Sequence, residues 1–121
     1  MHKLVILIEP LPDWPRFESE WPSFLRQVES LPGLKREATS RVEQFLYGSA
    51  QCRWVHELFF DTLAEAENAL ASPQGQAAGR RLQQITGGHV TLFLAEHKED
   101  HLAHILKYRL PADPGPGEPG E

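Results

Sequence analysis

Apolar residues early in the chain recur at intervals of three and four, a spacing that places them on one face of a helix. Asp13 can cap this helix, and Pro15 suits its first turn. Pro22 interrupts the pattern, so we expect either a kink there or a helix that begins later. Pro32-Gly33 then ends the helix. The apolar stripe comprises Trp14, Phe17, Trp21, Phe24, Val28 and Leu31.

Four shorter segments are rich in branched and aromatic residues and predict strands. They span residues 3–9, 34–44, 53–60 and 89–96. The order βαββαβ predicts an α+β fold of the ferredoxin-like type, with a four-stranded antiparallel sheet and the helices on one of its faces. The strands are nevertheless apolar on both sides, since the neighbours Phe59 and Phe60 point in opposite directions. An uncovered apolar face favours a second copy as its cover, so we expect a homodimer.

Two helix starts lie between the third and fourth strands. Asp61 can accept a bond from an amide of the following turn, and the helix after it carries one apolar stripe. Ser72 followed by Pro73 starts another helix over residues 73–85, because the missing donor of proline has no partner in a first turn. Gly87-Gly88 can supply a left-handed helix end. The stripe of the first of these helices comprises Leu63, Ala66 and Leu70.

Several short segments resemble the EthD family of the dimeric α/β-barrel superfamily. They are Glu57 to Asp61, Ser72 to Gln76, Leu31-Pro32-Gly33-Leu34, Ser40-Arg41-Val42 and Gly88-His89-Val90. Their order and spacing together carry the resemblance, which covers about residues 1–96. The resemblance implies that two sheets form a barrel in a homodimer, with a pocket in each subunit between the sheet and the helices or loops.

Composition narrows the class of protein. A chain of 121 residues can form one domain with a core, which we expect to span residues 1–96. A formal charge of −5 without a basic cluster argues against a nucleic-acid partner. The longest apolar run, residues 4–8, is far shorter than the ~20 residues that cross a membrane, so no membrane partner is expected. The lone Cys52 needs no oxidising compartment, which favours the cytoplasm.

The resemblance implies a small-molecule pocket without fixing its reaction, because the superfamily includes cofactor-independent monooxygenases, isomerases and cyclases. Many EthD-like proteins carry a histidine late in the first helix, whereas this chain has Phe24 or Leu25 at the matching position. Phe24 and Trp21 instead predict an apolar lining suited to a hydrophobic or aromatic molecule. We expect no cofactor.

Glu57 is the candidate catalytic residue. It interrupts the strand face that carries Val55 and Phe59, and a desolvated carboxylate there can act as a base near neutral pH. The alternative is an ion pair to Arg41 or Arg53 on an adjacent strand.

His56 points to the opposite face from Glu57, so it is either a hydrogen-bonded core histidine or a base in the pocket. The predicted ligand-binding residues are Trp21, Phe24, Arg41, His56 and Phe59.

The C-terminal part carries three histidines whose spacing would suit zinc if one helix held them all. They are His97, His101 and His104. An apolar stripe in the same segment instead predicts a short helix within residues 97–110 that docks on the domain or across the dimer, so we expect no metal site. This stripe comprises Leu102, Ile105, Leu106 and Leu110. Residues 111–121 are rich in Pro, Gly and Glu and are expected to be disordered.

Three classes of function remain open. The leading hypothesis is an EthD-like homodimer that binds a small hydrophobic or aromatic metabolite and transforms it as a cofactor-independent monooxygenase, isomerase or cyclase, with Glu57 as the base. The second is a protein that binds the ligand without catalysis. The third is an assembly protein that uses its surface and tail. Glu57→Gln separates the first two, because it would abolish turnover while ligand affinity survives.

Overall fold

The computed structural model describes residues 1–103, which form one four-stranded sheet and three helices. In chain order the elements are β1 His2–Ile8, α1 Trp14–Val28, β2 Arg36–Arg41, β3 Trp54–Phe60, α2 Leu63–Ala71, α3 Pro73–Thr86 and β4 Val90–Glu96. The strand order across the sheet is β2-β3-β1-β4, and all neighbouring strands are antiparallel. This topology confirms the predicted ferredoxin-like α+β fold.

The strand register divides the sheet residues between a helix-covered face and an open face. Leu4, Ile6 and Ile8 of β1 belong to the same buried cluster as the apolar stripe of α1, so they lie on the helix-covered face. The residues between them, Val5 and Leu7, point to the open face because alternate residues of a strand point to opposite sides. The other apolar residues of the open face are Ala38, Val55, Phe59, Phe93 and Ala95. The prediction of a sheet that is apolar on both faces is confirmed.

The first helix forms as its apolar stripe predicts, but it ends at Val28, before the predicted end at Pro32-Gly33, so Leu31 follows the helix. The side chain of Asp13 caps it by accepting a bond of 3.2 Å from the backbone N–H of Arg16. All six residues of the stripe are buried in the core. The helix begins at Trp14 and continues through Pro22, so the expectation of a later start is wrong. Pro22 is exposed, and the carbonyl group of Glu18 that loses its helical partner can bond to water on that side.

The cap of α2 is Thr62 and not the predicted Asp61. The hydroxyl oxygen of Thr62 accepts a bond of 3.1 Å from the backbone N–H of Glu65. Thr62 has the extended backbone of a cap residue, and it directly precedes the first helical turn. Asp61 lies one residue too early for this role and forms an ion pair of 3.6 Å with Lys35.

The buried face of α2 consists of small residues. Ala66 and Ala69 are buried, whereas Leu63 is exposed and Leu70 is partly buried, so the predicted stripe is only partly correct. The physical reason is the close approach of α3. A Cβ atom at Gly75 would come within 2.1 Å of the carbonyl oxygen of Ala69.

Both ends of α3 follow the sequence prediction. The side chain of Ser72 accepts a bond of 3.0 Å from the backbone N–H of Gly75, which makes Ser72 the cap. Gly87 ends the helix in the left-handed conformation, with φ of 62° and a bond of 2.9 Å from its N–H to the carbonyl oxygen of Gln83.

The second strand is shorter than the predicted span of residues 34–44. It covers Arg36–Arg41, and the ladder continues with a bond of 3.0 Å from the N–H of Val42 to the carbonyl oxygen of Arg53. Residues 43–52 then leave the sheet as an exposed loop in which Cys52 is half-buried.

Within residues 1–103, no helix combines the length and the apolar character that crossing a membrane requires. The predicted C-terminal helix within residues 97–110 extends beyond the described part of the chain, and the predicted disordered tail, residues 111–121, lies outside it.

Candidate functional site

The sheet separates the predicted site residues into two groups. Trp21, Phe24 and His56 lie together on the helix-covered side, where the ring centroid of His56 is 5.1 Å from that of Trp21 and 6.5 Å from that of Phe24. Glu57 and Phe59 alternate with His56 along β3 and therefore point to the open face. The predicted base and the predicted aromatic lining are thus on opposite sides of the sheet.

His56 is buried, with 1% of its surface exposed, and both of its ring nitrogens have partners. Nδ1 lies 2.7 Å from Oγ1 of Thr39, and Nε2 lies 2.9 Å from Oε1 of Glu37. Thr39 is directly opposite His56 in the β2–β3 ladder, and Glu37 is two residues further along the same side of β2. The register of the two strands therefore creates a Glu37–His56–Thr39 cluster.

Burial keeps the imidazole of His56 neutral. It lowers the pKa of His56 to about 4, because the charged ring would lose its hydration, and the charge of Glu57 opposes this effect only in part. A neutral imidazole has one N–H donor, and an ionised carboxylate only accepts. The consistent arrangement is that Nε2–H donates to Glu37 while the hydroxyl group of Thr39 donates to Nδ1.

Glu37 is the outward-facing end of the cluster, with 24% of its side chain exposed. Partial burial raises the pKa of Glu37, and the carboxyl group of Glu29 raises it further through a hydrogen bond and its charge. Glu29 is the C-terminal cap residue of α1, so this contact joins the end of the helix to β2. A carboxylate with a raised pKa that is open to solvent is suited to accept a proton.

Aromatic rings and one arginine form the surroundings of the cluster. The Trp21 ring meets the His56 ring edge-on at 89° and lies 5.8 Å from the ring of Trp54. Arg41, at the edge of the same face, forms an ion pair of 3.4 Å with Glu18 of α1, and its guanidinium carbon is 5.5 Å from the Trp54 ring centroid. The buried rings exclude water from the imidazole, which explains why it stays neutral.

Glu57 forms an ion pair on the open face. Its Oε2 lies 2.5 Å from Nζ of Lys3 on the neighbouring strand β1. The kind of interaction matches the alternative predicted for Glu57, but the partner is neither Arg41 nor Arg53. Arg41 points to the other side of the sheet, and the guanidinium of Arg53 stacks on a helix-side tryptophan ring.

Phe59 is covered by neighbouring side chains of its own chain. The guanidinium carbon of Arg36 lies 3.8 Å from the centre of the Phe59 ring, and the ring of His97 meets it edge-on at 4.9 Å. Glu99 joins these two covering residues, with contacts of 2.7 Å to each. The Phe59 ring is therefore packed against its own subunit.

An apolar cavity of about 50 Å³ lies between the sheet and the helices, with Phe24 in its wall. A cavity of about 150 Å³ is the size that accommodates benzene. An aromatic ligand therefore does not fit inside this cavity, and the accessible polar groups of the cluster, Glu37 and Thr39, lie at the exterior edge of the helix-covered face.

Within residues 1–103, no group of three or more His, Cys, Asp or Glu side chains is placed to hold a metal ion. His97 is bonded to Glu99 at 2.7 Å, and His104 lies outside the described residues.

Sequence reasoning missed Glu37 and Thr39. β2 has the polar sequence REATSR, in which no residue is distinguished by type. The available signal is alternation, because Glu37, Thr39 and Arg41 share one side of the strand. A buried histidine on the adjacent strand needs polar partners, and this side of β2 supplies them to His56.

A relative from the known proteins matches most of this chain. No protein-family model matches the chain. An uncharacterized 11.0 kDa protein from the thcB–thcC intergenic region of Rhodococcus erythropolis is 25% identical over 99 residues, which cover 81% of this chain and 96% of that protein.

Solved structures show the same architecture. An EthD family protein from Bacillus halodurans has a TM-score of 0.75 and 22% identity, and the match covers 81% of this chain and 99% of that one. A dimeric ferredoxin-like protein of unknown function from Jannaschia has a TM-score of 0.61 and 17% identity, with coverage of 79% and 98%. SnoaB, a cofactor-independent oxygenase from Streptomyces nogalater, has a TM-score of 0.62 and 15% identity, with coverage of 82% and 94%. This chain therefore has the ferredoxin-like fold of EthD family proteins.

Proposed function

We propose that this protein is a homodimer that binds a small hydrophobic or aromatic molecule and moves a proton to or from it at Glu37, in the manner of a cofactor-independent oxygenase, isomerase or cyclase. The observation that carries this proposal is the Glu37–His56–Thr39 cluster. It joins an outward-facing carboxylate to a buried neutral imidazole that is itself oriented by a hydroxyl group.

The hydrogen bonding of Glu37 suits the role of a proton acceptor. Its Oε1 accepts the bond from Nε2–H of His56, and the substrate would replace the carboxyl group of Glu29 as its second partner when Glu37 takes a proton from an acidic C–H or O–H group. The protonated carboxyl group is neutral, and its raised pKa favours this form. His56 acts as a positioning residue. It carries no charge at any step, which agrees with a pKa of about 4.

The position of the imidazole also supports the proposal. The EthD resemblance implies a histidine late in the first helix, where this chain has Phe24 or Leu25. His56 packs against Phe24 from the sheet, with 6.5 Å between the ring centroids. An imidazole therefore reaches the same neighbourhood from β3 and not from α1.

The open face of the sheet and the structural neighbours support a dimer and this class of reaction. The open face carries a row of apolar residues that a second copy could cover. The Jannaschia neighbour is described as dimeric, and SnoaB is described as a cofactor-independent oxygenase. These proteins share the fold of this chain, which makes a dimer and cofactor-independent chemistry reasonable first tests.

The test compares two carboxylates on opposite faces of the sheet. Freshly purified protein is incubated with a small-molecule extract, and native mass spectrometry identifies a bound compound. Liquid chromatography and mass spectrometry then follow the conversion of that compound. Glu37→Gln should lower kcat by about 100-fold or more while binding persists, whereas Glu57→Gln should change kcat little. Gln keeps the size of the side chain and removes its ability to accept a proton as a base.

Two outcomes would reject the proposed role of Glu37. Loss of turnover in Glu57→Gln with normal turnover in Glu37→Gln would place the base on the open face, as the sequence predicted. A bound compound that the wild-type protein leaves unchanged would favour a protein that binds its ligand without catalysis.

A further inference from the structure

A groove of about 400 Å³ runs between α3 and the edge strand β4. It lies at the opposite edge of the sheet from β2, so it is separate from the Glu37–His56–Thr39 cluster. Its wall includes Leu82 of α3 and Leu92 of β4. A volume of this size is in the range of about 300–1,000 Å³ that is usual for small-molecule sites.

The groove leads toward the apolar cavity inside the domain. The cavity of about 50 Å³ and the groove share three wall residues, Gly79, Leu82 and Leu92. The remaining wall of the cavity is apolar and includes Leu4, Ile6 and other core residues. An apolar chain that follows the groove would therefore meet further apolar surface at its inner end.

Two residues keep the groove open. Gly79 is the exposed glycine of α3, and a Cβ atom placed on it would meet no atom within 4 Å. Leu92 points to the helix-covered face because it pairs with Ile6 of β1, yet 48% of its surface is exposed. A larger residue at position 79 would fill the space beside Leu92, so glycine is what leaves an apolar surface accessible there.

A positive charge lies on the same groove. Arg80 lines it and, among residues 1–103, forms no ion pair with a carboxylate. The neighbouring Arg81 is different, because its Nε donates to Oγ of Ser23 at 3.0 Å and it does not line the groove, whereas Arg80 lies between the groove and the cleft of α1 and α3. An arginine beside an apolar surface can pair with the anionic group of a ligand whose apolar part lies on that surface.

We propose that the α3–β4 groove binds an alkyl carboxylate of medium length. The carboxylate pairs with Arg80, and the alkyl chain passes Gly79, lies against Leu82 and Leu92, and ends at the mouth of the interior cavity. This site goes beyond the proposed proton-transfer function, and neither depends on the other.

The test is isothermal titration calorimetry with sodium decanoate below its micelle concentration. The wild-type protein should bind one decanoate per chain. Arg80→Gln should weaken binding by at least about tenfold, because a charge-assisted bond is lost. Gly79→Leu should remove measurable binding by filling the groove. Leucine is a better helix former than glycine, so this variant should keep its fold, as circular dichroism would show.

Matched controls separate the head group from the chain. Arg81→Gln removes a charge from the next residue, outside the groove, and should leave the affinity within about twofold. Acetate, which has the charge without the chain, should not bind measurably. The proposal is overturned if the wild-type protein does not bind decanoate, if Arg80→Gln and Arg81→Gln weaken binding equally, or if Gly79→Leu binds as tightly as the wild-type protein.

Discussion

An imidazole beside a carboxylate can form an ion pair or remain neutral, and at His56 burial favours the neutral form. Burial removes the ring from water and penalises its charged state more than the nearby charge of Glu57 favours it, which is why the pKa of His56 falls to about 4. Both ring nitrogens still have partners at hydrogen-bond distance. The cluster is therefore a neutral imidazole held between the hydroxyl group of Thr39 and the carboxyl group of Glu37, which also contacts Glu29.

The stability of the protein should reflect this neutral histidine. Below pH 6.5 the unfolded chain protonates His56, whereas the native state does not do so until about pH 4. Stability should therefore fall as the pH drops through this window, by about 3 kcal/mol in total from this residue. Urea unfolding of the wild-type protein and His56→Gln at several pH values measures the difference. The raised pKa of Glu37 acts in the opposite direction in both proteins, so the comparison isolates His56.

Equal pH dependence in the two proteins would contradict the lowered pKa, because it would show that His56 titrates alike in the native and unfolded states. The sequence alone could indicate that His56 faced the core, because it alternates with the apolar residues of β3. It could not indicate Glu37. His56 and Glu37 are 19 residues apart in the chain, and their contact depends on the register of β2 against β3, which only the folded sheet fixes.

At the level of helices and strands, the junction of α2 and α3 depends on one glycine. Gly75 follows the Ser72 cap, and it faces the last turn of α2 so closely that a Cβ atom would lie 2.1 Å from one carbonyl oxygen and 2.7 Å from the next. Backbone atoms at such distances cannot be moved aside by a change of rotamer. The Ser72-Pro73 start of α3 and the small buried residues of α2 belong to the same tight packing.

Two glycines in the same helix give a matched comparison. Gly75→Ala should destabilise the fold by about 2 kcal/mol or more, because the added methyl group meets backbone. Gly79→Ala should stabilise it by up to about 1 kcal/mol, because Gly79 has open space around it and alanine favours the helix. Free energies of unfolding from urea titration provide the measurement. Similar effects of the two changes would contradict the close contact between α2 and α3.

The elements that the sequence predicted best are those with strong local signals. α1 carries five large apolar residues at helical spacing, and α3 has a serine-proline start and a glycine end. The weaker predictions involve competing local signals. Asp61 and Thr62 are both good caps, and only the backbone shows that the helix begins after Thr62. Likewise β2 is a polar edge strand, whose ends are set by bonds to β3 and not by its own composition.

On the scale of the whole molecule, the two faces of the sheet have different roles. The helix-covered face holds the core and the Glu37–His56–Thr39 cluster, whereas the open face presents apolar residues between the Lys3–Glu57 ion pair and the exposed edge of β4. We propose that a second copy covers the open face. A monomer would leave Phe93 of this face 46% exposed, whereas Val5 and Phe59 are already buried within one chain.

Substitutions at two adjacent residues of β4 test whether a dimer forms through the open face. Phe93 and Leu92 are 46% and 48% exposed, but Phe93 points to the open face and Leu92 to the helix-covered face. Phe93→Asp should convert the dimer to a monomer, because it places a charge in the proposed interface, whereas Leu92→Asp should remain dimeric. Sedimentation velocity gives the mass of each variant. A wild-type monomer, or equal effects of the two changes, would contradict a dimer formed through the open face.

The most direct test of the central claim is the protonation state of His56, measured by long-range ¹H–¹⁵N correlation of the imidazole nitrogens. We predict that, at pH values between about 4 and 6.5, His56 is mainly neutral and carries its proton on Nε2, directed at Oε1 of Glu37. That result would leave Glu37 ready to accept a substrate proton. A charged imidazolium in this range, or a proton on Nδ1, would contradict the assignment of Glu37 and His56 as a proton-transfer site.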